Sequence, residues 1–127
     1  MIFNALNQRI NKALAIKLEN KKIVLKGWKH CECSFNEILV DINEEIKYIN
    51  LIKKIEIAGD RDEGIEIKIN EKIVYSYFPS GNNHGYFSYT LTPSQIKFIK
   101  EGNNNIKVRV ANYNGGGGVN AIMTIFY

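Results

Sequence analysis

Two clusters of residues have the types and spacing to do chemistry. The first is residues 59–64, Gly-Asp-Arg-Asp-Glu-Gly, in which Asp60, Asp62 and Glu63 form the densest acidic cluster of the chain. Carboxylate oxygens are hard ligands, and Asp-x-Asp is a spacing that calcium loops favour. Asp60, Asp62 and Glu63 are therefore the candidate calcium ligands, although the stretch falls short of an EF-hand loop and Arg61 interrupts it. The competing reading is a hairpin turn, because Asp and Gly tolerate turn dihedrals with or without a metal. The second cluster is His30, Cys31, Cys33 and His84, which together could bind zinc. Strand alternation puts Cys31 and Cys33 on one face and His30 on the other, and no standard zinc spacing is present. Two thiols on one strand face point in parallel and do not bridge, so buried free cysteines are expected.

Catalysis finds no constellation. No nucleophile elbow precedes an acid and a histidine, and no Gly-rich phosphate loop joins a strand to a helix. Asp62 and Glu63 are adjacent on a turn and cannot flank a glycosidic bond from opposite sides. The sequence therefore predicts a non-enzyme without a cofactor, calcium apart.

The elements that must position these residues are strands. Ile65, Ile67 and Ile69 alternate with Glu66 and Lys68, and Ile106, Val108 and Val110 alternate with Lys107 and Arg109. This is the period of a strand with one wet face. Residues 51–58 carry Ile55 and Ile57 inward, Phe87, Tyr89 and Leu91 share another face, and residues 121–127 form a terminal strand. Residues 43–50 are polar and read as a turn or a single helical turn. Asn70-Glu71 is a tight hairpin link, and residues 78–86 are the longest irregular stretch. Thr92-Pro93-Ser94-Gln95 spells a capping box for one short helix near 93–100, which Gly102 would terminate. Four glycines at 115–118 imply close approach or adjustable shape. Residues 1–20 form an arm that is either an amphipathic helix or part of a hairpin in which residues 15–18 pair with residues 23–25. The arm could dock on a neighbouring subunit or close one end of the core.

Composition sets the remaining bounds. A chain of 127 residues, 45% of them hydrophobic, makes one domain with a sizeable core. No apolar run approaches the ~20 residues of a membrane helix. Polar residues interrupt the start, so no signal peptide is expected and the chain would fold in the cytoplasm or leave by lysis. The net charge of +4 hints at an acidic partner. Yet Lys26, Lys68 and Lys107 are spaced as strand solvent faces rather than clustered, so nucleic acid is the weakest candidate partner.

Residues 60–72, Gly85-Tyr86-Phe87 and residues 99–112 resemble galactose-binding-domain-like jelly rolls, the sugar-binding domains of β-galactosidase-type enzymes and related carbohydrate-binding modules. The resemblance covers residues 50–127, with Glu71 standing where the usual hairpin has Gly. It implies an all-β, two-sheet antiparallel jelly-roll sandwich over residues 21–127. It also implies ligands at loops on one end, with aromatic faces stacked on pyranose rings and polar side chains on the hydroxyls. Trp28, Tyr86 and Tyr113 are the candidate platforms, with His84, Asn82, Asn83, Asn112, Asn114 and Arg109 as polar partners. Of the aromatics, Trp28 is the one best suited to plain core packing. Two functions follow: a lectin-like module recognising surface glycan, or an assembly or decoration subunit packing on copies of itself or a scaffold. Free cysteines without an export signal suit a phage virion or tail component in either case.

Overall fold

In a computed structural model of the chain, residues 18–29, 35–79, 84–112 and 116–127 are described, with backbone only at 35–37 and 112. Among them eight strands run in order: β1 (Lys21–Lys29), β2 (Phe35–Ile46), β3 (Lys54–Arg61), β4 (Gly64–Ile69), β5 (Lys72–Tyr77), β6 (Gly85–Thr90), β7 (Gly102–Asn112) and β8 (Gly117–Phe126). One short helix, α1 (Pro93–Ile96), lies between β6 and β7. The first sheet has the order β1-β8-β3-β6 and the second β2-β7-β4-β5, with antiparallel pairing throughout. The pairs β1–β8, β2–β7, β3–β6 and β4–β5 are nested, as if one long antiparallel ribbon were wrapped so that successive strands fall in alternate sheets. This is the jelly-roll sandwich that the resemblance implies, built from the strands that the alternating pattern predicts.

The core lies between the sheets. Ile23, Leu25, Ile55, Ile57, Met123 and Ile125 from the first sheet face Ile65, Ile67, Ile69, Ile106, Val108 and Val110 from the second. Each strand contributes every second residue, as the period requires. Tyr75 of β5 stacks on Phe87 of β6, their ring centroids 5.3 Å apart, and closes the core between the two sheet edges.

The capping box forms as spelled. Gln95 donates its backbone N–H to Thr92 Oγ1 at 3.2 Å, and its Oε1 accepts from Thr92 N–H at 3.0 Å. Gly102 does not terminate this helix, which ends at Lys97 in right-handed geometry; Gly102, at φ 102°, opens β7 instead. Residues 43–46 belong to β2 rather than to a turn, since Asn43 and Glu45 face solvent while Ile46 enters the core. The chain turns later, in a 3-10 turn over Ile49–Leu51 that Tyr48 enters in the left-handed region, so β3 begins at Lys54 rather than at 51. Glu101 holds this corner, accepting from Tyr48 and Ile49 N–H. Residues 60–64 are not a hairpin turn, because β3 pairs within the first sheet and β4 within the second. Asp62 and Glu63 carry the chain from one layer to the other. The alternative hairpin partner for β1, residues 15–18, lies largely outside the described residues. The strand that β1 does pair with is β8.

Asn104 is wholly buried and fully used. Its Nδ2 donates to Lys100 O (2.8 Å) and Gly102 O (2.9 Å), while its Oδ1 accepts from Lys100 N–H and Asn70 Nδ2, both at 2.9 Å. Asn70 in turn donates to Phe98 O and accepts from Asn105 N–H. This carboxamide pair ties the β4–β5 turn to the loop entering β7. Asn104→Ala would leave several buried groups without partners, and a loss of about 3 kcal/mol is expected, read as a lower urea midpoint at unchanged slope. The β4–β5 link has Asn70 at φ 51° and Glu71 at φ 68°, so both central residues sit in the left-handed region as a type I′ turn demands. Glutamate fits there poorly, although its carboxylate pairs with Lys107. Glu71→Gly is expected to raise the unfolding free energy by up to about 1 kcal/mol by removing the left-handed penalty, checked by the same titration.

Candidate functional site

Strand parity fixes what the outer face of the first sheet presents. Ile23 and Leu25 point inward, so Val24, Lys26 and Trp28 point outward. Opposite Lys26 on β8 is Asn120, opposite Asn120 on β3 is Asp60, and opposite Asp60 on β6 is Tyr86. Lys26, Asn120, Asp60 and Tyr86 thus form one exposed row across all the strands of the sheet. Trp28 stands one row further along β1 and is 68% exposed. It is not a core residue, contrary to the reading its type invites.

Gly118 explains how the indole is held. It pairs with Trp28, and a Cβ on it would lie 2.8 Å from the Trp28 ring carbon Cε3 and 2.3 Å from Gly27 O. Only glycine lets the ring settle against β8, which gives the glycine run one of its reasons. Gly27 points the other way, where a Cβ would lie 2.6 Å from Leu39 O, so it lets the sheets close up beneath the same spot.

The β3–β4 crossover builds the rim. Asp62 N–H donates to Gly118 O at 3.0 Å. The Arg61 guanidinium lies 4.3 Å over the Tyr77 ring and donates through Nη1 to Asp62 O (2.8 Å) and, more weakly, to Glu63 O (3.4 Å). Glu63 is buried to 1% exposure. Around these residues opens a depression of about 940 Å³, lined by Trp28, Gly118 and Asn120 of the sheet face and by Asp60, Asp62 and His84. Burial and the neighbouring Glu63 carboxylate raise the Asp62 carboxyl above the usual range, against the opposing pull of His84, the Glu63 N–H and Arg61. Its Oδ2 has no hydrogen-bond partner among the described residues.

The depression gathers Trp28, His84, Asp60, Asp62 and Glu63 from the residues singled out in sequence. Tyr86 lies outside it, at the far end of the Asp60 row. Arg109 is elsewhere: it projects from β7 on the second sheet, donates to Glu66 Oε2 at 3.0 Å and lies 5.2 Å over the Phe78 ring. The pairing holds the Glu66 carboxyl below the usual range, chiefly through the Arg109 hydrogen bond. Asn82, Asn83, Tyr113 and Asn114 lie outside the described residues, as do His30, Cys31 and Cys33, and the Asn112 side chain is likewise not described. Among the described residues no three His, Cys, Asp or Glu side chains form a group that could hold a metal ion. Sequence reasoning missed Lys26, Gly118 and Asn120 as site residues. Lys26 and Asn120 carry the parity signal, since each lies between inward-facing neighbours.

An exposed indole beside carboxylates, an amide and an imidazole can stack on an apolar ring face while exchanging hydrogen bonds with hydroxyls. Strand order and nested pairing define the fold, an antiparallel jelly-roll sandwich. Among solved structures, the chain is similar to the CBM36-1 domain, a carbohydrate-binding module, of a multidomain xylanase from the hindgut metagenome of Trinervitermes trinervoides. The TM-score is 0.52 at 8% identity, over 82% of this chain and 96% of that one. A family 35 carbohydrate binding module from Clostridium thermocellum gives a TM-score of 0.37 at 10% identity, over 82% of this chain and 97% of that one. No family model and no curated protein matches the sequence.

The Asp62 environment has a measurable consequence. A carboxyl whose folded pKa is raised opposes folding once it ionises, and that cost sets in as pH climbs from the unfolded value of 3.8 through the folded one. Asp62→Asn should therefore raise Tm at pH 7, with the gain vanishing below the unfolded pKa, as followed by thermal melts across acid pH.

Proposed function

We propose that the chain is a non-catalytic, lectin-like module that binds surface glycan in the depression around Trp28. The observation that carries this reading is the Trp28 indole, open to solvent, held against Gly118 and lining the depression. Its surroundings supply what sugar hydroxyls need: the Asp60 carboxylate, the Asn120 amide, the Lys26 ammonium and His84. The fold likeness to the module of a xylanase supports the same class of ligand. Hydrolysis is disfavoured because Asp60, Asp62 and Glu63 approach from one run of backbone, with no carboxyl opposite them among the described lining residues. Nucleic acid is disfavoured because the same carboxylates would repel phosphate.

A second reading, an assembly or decoration subunit such as a phage virion or tail component, draws on Val24 and Ile122. These exposed apolar residues lie beside each other on the same outer face. It predicts a closed oligomer by light scattering, whereas the glycan module needs none.

The test is a glycan array followed by affinity electrophoresis with Trp28→Ala. Loss of at least about tenfold in affinity is expected, equivalent to about 1.4 kcal/mol, with Tm unchanged because the indole is outside the core. A Trp28→Ala protein that binds as before would refute the reading.

A further inference from the structure

We propose that the outer face of the first sheet is a docking surface for the protein's own N-terminal arm, with residues 2–14 packed as a helix along β8. Docking of the arm does not depend on the glycan reading. The arm lies outside the described residues, which begin at Leu18, just before β1. In its sequence Leu6, Ile10, Ala13 and Leu14 share one helical face. The sheet offers an apolar row to receive them, Val24, Ile122 and Ala58 on β1, β8 and β3. Val24 is 59% exposed and Ile122 42%. The lengths agree as well. A helix over residues 2–14 extends about 20 Å, and β1 rises about 20 Å from Lys22 to Trp28. Residues 15–20 can span up to about 20 Å, enough to bring the chain round the end of the sandwich, where Leu18 lines a hollow with Tyr48 and Tyr127.

Charge and handedness agree on which way the helix faces. On β3, Glu56 and Asp60 flank Ala58, and on β1, Lys22 and Lys26 flank Val24. Residues 1–17 carry Arg9, Lys12 and Lys17 and no acid. At about 100° per residue, Arg9 and Lys12 border one side of the apolar stripe and Asn7 and Asn11 the other. Asp62, of the same parity as Asp60, donates its N–H to Gly118 O on β8, whereas the inward-facing Ile55 turns its carbonyl to Leu91 N–H on the β6 side. For L-residues this places β6, β3, β8 and β1 from left to right, seen from outside with β1 and β3 pointing up. A right-handed helix running back down that face, stripe inward, turns Arg9 and Lys12 toward β3 and Asn7 and Asn11 toward β1. Basic side chains meet carboxylates, and amides meet lysines. The outer face of the second sheet fits less well. Its exposed Ile38 and Ile73 stand on opposite edge strands, with Lys68, Lys107 and Arg109 on the strands between.

The test is methyl NOE spectroscopy of the full chain labelled at Ile, Leu and Val, with light scattering alongside. NOEs from Ile10 and Leu14 to Ile122 and Val24 are expected in a monomer. Ile10→Asp should abolish them while the NOEs among buried isoleucines persist. Arg9→Glu with Lys12→Glu should abolish them too, and adding Glu56→Lys with Asp60→Lys should restore them. Absence of these NOEs in the parent, arm NOEs to Ile38 or Ile73 instead, or a charge swap that restores nothing would overturn the docking. So would NOEs arising between differently labelled chains in a mixed sample, which would make a second copy's arm the occupant.

Discussion

Among the described residues, the facing strands of the two sheets turn apolar side chains into the interior and keep charged ones out, and this exclusion governs everything outside it. Ile23, Ile57 and Met123 are sealed against Ile67, Ile106 and Val108. A slip of one residue in any strand pair would bring lysine or glutamate inward and turn isoleucine out. Register is therefore specified by the core. Once it is set, the outer rows are no longer free to vary. Lys26, Asn120, Asp60 and Tyr86 line up because Leu25, Ala121, Gly59 and Phe87 line up behind them. The candidate site is in this sense the back of the core, and its spacing is that of the strands.

Much of this was legible in the chain itself. The two-residue period of Ile65–Ile69 and Ile106–Val110 marks a strand wherever it occurs, and the capping box at Thr92 combines its signals within four positions. Failures came where the answer depends on which sheet a strand joins. The acidic stretch after β3 has turn composition, yet it crosses between layers, and nothing local distinguishes a crossover from a hairpin. Arg109 has the same outward parity as Asn120, but β7 and β8 belong to opposite sheets, so the two side chains never share a face. Trp28 is the instructive case. Residue type suggested core, while the alternation of Lys22, Val24 and Lys26 against Ile23 and Leu25 already pointed it outward. Parity outranks hydrophobicity on a strand with one wet face, because the pleat and not the side chain decides direction.

The two outer faces also solve charge differently. On the second sheet Arg109 and Lys68 surround Glu66, so its carboxylate is stabilised and its ionised form favoured. Folding stability from that group is present above the unfolded carboxylate pKa and is lost as pH falls through the lowered folded value. At the rim of the depression the balance is reversed. Asp62 loses water and sits beside Glu63, and the pull of Arg61 and His84 does not make up the difference. The second face has matched its charges internally, whereas the first retains a carboxyl oxygen without a hydrogen-bond partner among the described residues.

That asymmetry bears on why the depression is where it is. A jelly roll must carry the chain between layers at each end, and the β3–β4 crossover does so in two residues. So short a link leaves backbone groups at the seam, met here by Arg61 donating to Asp62 and Glu63 carbonyls and by Asp62 N–H reaching Gly118. The requirement for Gly118 at this seam removes a side chain from the floor, and the Trp28 ring occupies part of the vacated space. The rest is the depression. An architectural necessity, the passage from sheet to sheet, thus creates both the hollow and its polar rim, and loop residues need only adjust what the crossover has already opened.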